Sequence, residues 1–241
     1  MKMKRTLKFI SSLLLCVSLQ CIAQQKPIAD TATAPKPKTE RYGIRIGADL
    51  SRLARSLYDD NFRGIELVAD YRLTKKIYFA GEVGNTKFTV DDDQVNFTTS
   101  GSYLKAGFDY NAYDNWLDME NMIYVGVRYG FASFSQTLNS YNVYDDTGYF
   151  GQAVVYPGTE YKGLTAHWGE VVGGVKAEIF DNLYLGFSVR LNLLFTQKIP
   201  EGFDNLYIPG FNRTYAGSFG AGFNYSLSYF VPLYKKAKIK E

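Results

Sequence analysis

From Leu183 to Phe195 the chain reads LYLGFSVRLNLLF. Leu183, Leu185, Phe187, Val189, Leu191, Leu193 and Phe195 are apolar, while Tyr184, Gly186, Ser188, Arg190, Asn192 and Leu194 are mostly small or polar. A strand sends successive side chains to opposite faces, so one face here is apolar and the other carries an arginine and an amide. The pattern recurs. It predicts strands over Tyr42–Leu50, Gly64–Leu73, Ile77–Phe88, Val95–Tyr110, Met122–Phe134, His167–Phe180, Leu183–Phe195 and Tyr215–Leu233. In most of them the polar face holds full charges: Arg45 and Asp49, then Glu66, Asp70 and Arg72, then Glu82. Lys105, Asp109, Arg128, Glu170, Lys176, Glu178 and Arg190 follow. A soluble lipocalin-like barrel demands the opposite alternation, apolar inside and polar outside. The sequence therefore predicts an all-β fold, an eight-stranded antiparallel up-and-down transmembrane β-barrel with lipid outside and a polar lumen.

The connections support this arrangement. Thr74–Lys76, Asn111–Asn121 and Asp181-Asn182 fall on one side and average shorter than those on the other, and an even strand count puts both termini on the short-turn, periplasmic side. Asp181-Asn182 is expected to form a two-residue hairpin turn with positive φ at both positions. Asn111–Asn121 has room for a helical turn carrying Trp116. Outward aromatics are expected in two girdles, with Tyr42, Tyr71, Tyr110 and Tyr229 at the periplasmic side and Phe131, Phe195 and Tyr215 at the outer side. Pro232 is expected to end the last strand, because it cannot donate to a ladder. Six inward cations face seven inward carboxylates. An eight-stranded barrel is only wide enough for its side chains to fill, so the lumen reads as a salt-bridged plug.

Residues 1–23 have a basic head and a short apolar run ending CIA, the form of a secretory signal cleaved before Gln24. Lipidation at Cys21 is the alternative. Cys16 and Cys21 are the only cysteines, so the mature chain holds no disulfide and no thiolate metal site. Residues 24–40 read as a flexible Pro/Thr/Lys linker in which Thr31 sits in a possible glycosylation motif, Asp30-Thr31-Ala32. The barrel follows over 41–234 and a basic periplasmic tail over 235–241. The formal charge of +3 comes from the ends. Between Tyr42 and Tyr234 there are 15 basic against 21 acidic residues, a net of −6, which leaves nucleic-acid binding without electrostatic support.

In architecture the chain resembles the small eight-stranded outer-membrane barrels of the OmpA-transmembrane-domain and OmpX type. It is especially similar to barrel proteins of Bacteroidota, whose signals often end as CIA-QQ does here. The terminal GAGFNYSLSYF is similar to the assembly signal of such barrels, though eleven further residues follow Phe230. The resemblance implies residence in the bacterial outer membrane. It also implies contact with outer-membrane lipid and lipopolysaccharide, and handling by the barrel-insertion machinery.

No motif calls for a cofactor, a metal or catalysis. His167 is the only histidine, on the outward rim beside Trp168, and a lipid-modifying enzyme would have to use it. Asp91–Asp93 and Asp145-Asp146 lack the spacing of a calcium loop and read as solvated tips. The segment 136–166 carries Tyr141, Tyr144, Tyr149, Tyr156 and Tyr161. Two readings stand for it: a long binding loop presenting rigid aromatic surface, or an aromatic hairpin that only extends the barrel. The expected function is a non-enzymatic outer-membrane barrel, structural or surface-binding. A His167-dependent enzyme and a small-solute pore are the alternatives.

Overall fold

The computed structural model describes residues 39–114, 120–143, 153–213 and 218–237. Eight long strands carry the alternation: β1 (Thr39–Asp49), β2 (Phe62–Arg72), β3 (Ile77–Asp91), β4 (Val95–Asn111), β5 (Met122–Val143), β7 (Thr159–Phe180), β8 (Leu183–Gln197) and β11 (Phe219–Ala237). Short strands β6 (Ala153–Val155), β9 (Tyr207–Ile208) and β10 (Asn212–Arg213), with one helix, α1 (Leu50–Tyr58), belong to the connections. Each long strand pairs antiparallel with its neighbour in sequence, and β11 returns to β1 from Thr39↔Ala237 to Asp49↔Ser226. The sheet thus closes into an eight-stranded up-and-down barrel with Thr39 and Ala237 at one rim, the turn end.

Alternation translates into two surfaces. Along β8 every even position from Tyr184 to Leu194 is buried, while the odd positions between them are exposed. The outside at mid-height presents Ile65, Val83, Leu104, Val127, Val171 and Leu191, each at least half exposed. The band continues around the strands and far exceeds the scattered apolar residues of a soluble surface. The core is the lumen.

Local chemistry explains where the strands depart from the sequence reading. The basic stretch after β1 is a helix: the Asp49 carboxylate accepts from Ser51 N at 2.7 Å and caps α1. β5 and β7 run far past the expected loop boundaries, pairing Gln136–Leu138 with Thr159–Tyr161, and β6 adds to the tip of β5. Most of segment 136–166 that is described is therefore ladder. Pro232 does not end β11. It lies opposite Gly43 at a register shift, where a missing N–H donor is tolerated, and pairing resumes at Tyr234. Tyr42, expected to face lipid, is buried between the stacked ring of Tyr234 and the guanidinium of Arg72. In the Asp181-Asn182 turn only Asn182 has positive φ, at 63°. Trp116 and Tyr215 lie outside the described residues.

Candidate functional site

The lumen is built in layers. At the turn end, Arg45 Nε donates to Asp70 at 2.7 Å, and Lys176 Nζ reaches the other Asp70 oxygen at 2.5 Å. The Arg45 guanidinium lies between the rings of Tyr78 and Tyr184, 4.9 and 5.2 Å from their centroids. Arg72 pairs with Glu40 at 3.1 Å, while Arg41 pairs with Glu120 at 3.1 Å and Glu178 at 3.6 Å. Glu40, Arg41 and Glu120 lie at or beyond strand ends, where alternation says nothing, and sequence reasoning left them out.

The middle layer is denser. Lys105, 2 % exposed, stands 3.3 Å from Glu170, 3.4 Å from Glu82 and 3.9 Å from Glu66. Arg190 forks onto Glu82 and reaches Glu170 at 3.5 Å. Arg128 pairs with Asp109 at 2.7 Å and approaches Glu82 at 3.8 Å. Neutral donors add to the same carboxylates: Tyr103 Oη and Asn224 Nδ2 bond Glu66, and Trp168 Nε1 bonds Glu170 at 2.7 Å. Each carboxylate of this layer meets at least one cation, the condition under which buried charge is tolerated. A further cation arrives from outside the strands: Arg52 of α1 reaches Glu66 at 3.1 Å and Asp49 at 3.6 Å. Asp49 is thus a helix cap paired with a helix arginine and has no partner among the strand cations.

Above the charges the lumen turns apolar, which a wholly salt-bridged plug does not anticipate. Tyr103, Phe134, Leu164, Trp168, Leu194, Ile208 and Phe211 form one buried cluster, with Ile208, Phe211 and Trp168 at 0 % exposure. Ile208 and Phe211 belong to the β8–β11 connection, which folds into the barrel mouth. There Phe211 meets Trp168 edge to face at 5.9 Å, and its carbonyl accepts from Asn192 Nδ2 at 3.1 Å. A tight turn makes this possible: Phe211 N donates to Ile208 O at 3.1 Å across Pro209-Gly210, with Gly210 at φ 82°. That is the Pro-Gly signature of a type II turn. The signal was in LYIPGF, an apolar run around a Pro-Gly pair in an otherwise polar loop. A Cβ on Gly210 would also sit 2.6 Å from the Tyr103 ring. Gly210→Val is therefore expected to cost ~1–3 kcal/mol, read by urea titration of the folded barrel, and to make the 198–213 connection more sensitive to protease. Beside this plug Tyr207 packs 4.9 Å from the Phe88 ring, and its hydroxyl is buried. Burial raises its pKa above the ordinary value, against the lowering influence of Arg52 and Arg55.

The tyrosines of segment 136–166 separate. Tyr156 is exposed and Tyr141 is paired at the hairpin flank, partly open to solvent. Tyr161 packs against the apolar plug and stacks on Phe203, so it supports the mouth and is not a free contact surface. Tyr144 and Tyr149 lie outside the described residues. His167 packs 4.9 Å from the Phe131 ring, with Nδ1 2.7 Å from Tyr129 Oη. Among the described residues no cluster of three metal-ligating side chains occurs.

The barrel is similar to that of Ail, the attachment invasion locus protein of Yersinia pestis. Identity is 10 % and the TM-score 0.39, over 79 % of this chain and 98 % of that one. No curated protein matches the chain. A family profile matches residues 6–236, and the chain accordingly belongs to DUF6048, a domain of unknown function.

Proposed function

We propose that the protein is a non-enzymatic bacterial outer-membrane barrel with a sealed lumen, whose loop end serves a structural or surface-binding role. One observation carries this reading: a continuous apolar band encircles the outside while paired charges fill the inside. Water disfavours such an exterior, and hydrocarbon favours it. The rim that carries Thr39 and Ala237 is then periplasmic, and the β5–β7 hairpin with Tyr141 and Tyr156 stands on the outer face as the interaction surface. Tyrosine there offers a large, rigid contact with a polar tip.

Three results test the proposal. Leu191 is 68 % exposed at mid-height. In lipid, Leu191→Arg is expected to destabilise the folded state by ~2–4 kcal/mol, measured by urea-driven unfolding in vesicles. A soluble barrel would tolerate that exposed substitution within ~0.5 kcal/mol. The folded chain is also expected to give no stepwise current in a planar bilayer, and regular steps would overturn the sealed lumen. A His167→Ala variant is expected to leave the lipids of its host membrane chemically unchanged.

A further inference from the structure

β1 is too short for the wall it belongs to. Its last pairs are Ala48↔Leu67 with β2 and Asp49↔Ser226 with β11. Yet β2 continues to Phe62 and β11 to Phe219, each still paired on its other side. Towards the loop end, β2 and β11 therefore have no strand between them among the described residues. Helix α1 stands in that gap. Its nine residues rise about 13 Å, close to the ~17 Å that β2 covers from Leu67 to Phe62.

The helix repairs only one side of the gap. Ser56 Oγ accepts from Gly64 N at 2.9 Å and lies 3.3 Å from Gly64 O, and Phe62 N donates to Asp59 O at 3.0 Å. These bonds cap the free edge of β2. On the other side a cleft of about 500 Å³ remains between α1 and the edge of β11, lined among others by Arg52, Arg55, Tyr207, Arg213, Gly222 and Phe223. An open sheet edge facing hydrocarbon is not tolerated, which favours a polar occupant for this cleft.

Its charge indicates which kind. Arg52 is held by carboxylates on its inner side. Arg55 uses Nε on Asp59 at 3.0 Å and stacks over the rings of Phe62 and Phe88. Among the described residues its terminal nitrogens make no hydrogen bond, and Arg213 meets no carboxylate. The Tyr207 hydroxyl is buried and feels Arg52, but makes no hydrogen bond of normal geometry. Arg55, Arg213 and Tyr207 thus line one slot with donors that the described residues leave unused. The outward face beside it is apolar: Leu57 is 88 % exposed and Phe223 64 %. Just above, the exposed cross-strand pair Arg63↔Lys87 marks the change from apolar to charged surface.

We propose that the slot between α1 and β11 binds the phosphorylated headgroup of an outer-leaflet lipid, with its acyl chains lying over Leu57 and Phe223. Arg55 and Arg213 supply charge-assisted hydrogen bonds to the phosphate, and Tyr207 a neutral one. This rests on the outer-membrane reading, which is checked separately by folding.

The test uses the full folded chain in a neutral detergent, after a mobility difference between unboiled and boiled samples has established the closed barrel. Native mass spectrometry then follows titration with phosphatidic acid, with diacylglycerol and with inorganic phosphate. One phosphatidic acid is expected to bind, weakened about tenfold by Arg213→Gln and by Arg55→Gln. The paired substitution Arg63→Gln with Lys87→Gln is expected to leave binding within about twofold. Diacylglycerol and inorganic phosphate are each expected to bind at least about tenfold more weakly. Equal binding of inorganic phosphate would make this a free-anion site and overturn the lipid assignment. Binding indifferent to both Arg213→Gln and Arg55→Gln in a barrel that still shows the mobility difference would overturn the site. Loss of that difference in the wild-type chain would contradict the barrel reading itself.

Discussion

Lys105→Ala is expected to destabilise the barrel by ~3–5 kcal/mol, a large part of the ~5–15 kcal/mol that holds a typical domain folded. The reason lies in what is left behind. The ammonium stands within 3.9 Å of Glu66, Glu82 and Glu170, none more than 6 % exposed. Arg190 still reaches Glu82 and Glu170, and Arg52 still reaches Glu66, but three carboxylates then share cations already engaged elsewhere. Removing one member of a buried cluster exposes the desolvation cost of the rest, whereas the cluster as a whole contributes little net stability. Urea titration of the barrel in vesicles, followed by tryptophan fluorescence and gel mobility, measures the loss. Lys162→Ala provides the contrast. Its partner is Glu160 at 3.0 Å and both are well exposed, so the expected change is below ~0.5 kcal/mol.

Trp168→Ala is the second large effect, at ~3–5 kcal/mol. The indole is fully buried, meets Phe211 edge to face, and donates to Glu170. Truncation empties the centre of the apolar layer and removes a donor from a buried carboxylate. The same change unseats the β8–β11 connection, so proteolysis within 198–213 is expected to accelerate while the strands stay resistant. Conductance is expected to remain silent, because the layer of Lys105, Arg128 and Arg190 beneath the plug is intact. A variant that conducts would mean the apolar plug alone closes the lumen.

How much of this was legible depended on whether one physical rule governed the segment. Where lipid lies on one face and charge on the other, the contrast is strong, and β3, β5 and β8 read out of the sequence through their membrane-height portions. The same contrast placed Arg45, Glu66, Glu82, Lys105 and Arg190 on one face, and the structure brings them within ion-pair distance in two adjoining layers. Above the apolar band the rule lapses. Ser135, Thr137 and Asn139 put polar side chains on the outward face of β5, and the register shifts at Ser135 against β7 and at Asn139 against β4, so no apolar stripe marks the strand.

Helix α1 was obscured for a different reason. LSRLARSLY is short and its apolar residues face outward, so nothing marked it as part of the wall. Arg52 accordingly falls outside every strand that the alternation predicts. The inward fold of LYIPGF followed turn chemistry that strand periodicity does not register. Tyr42 and Pro232 deviate together, since the register shift between β1 and β11 falls at their level.

The central claim is a closed barrel with its apolar surface in lipid. The most direct measurement is to fold the chain in detergent and compare unboiled and boiled samples by gel electrophoresis. The account predicts a distinct unboiled mobility that boiling abolishes, with the strands protected from protease until then. A single mobility in both lanes, from a chain that is monomeric in buffer without detergent, would contradict it and require the apolar face to point inward.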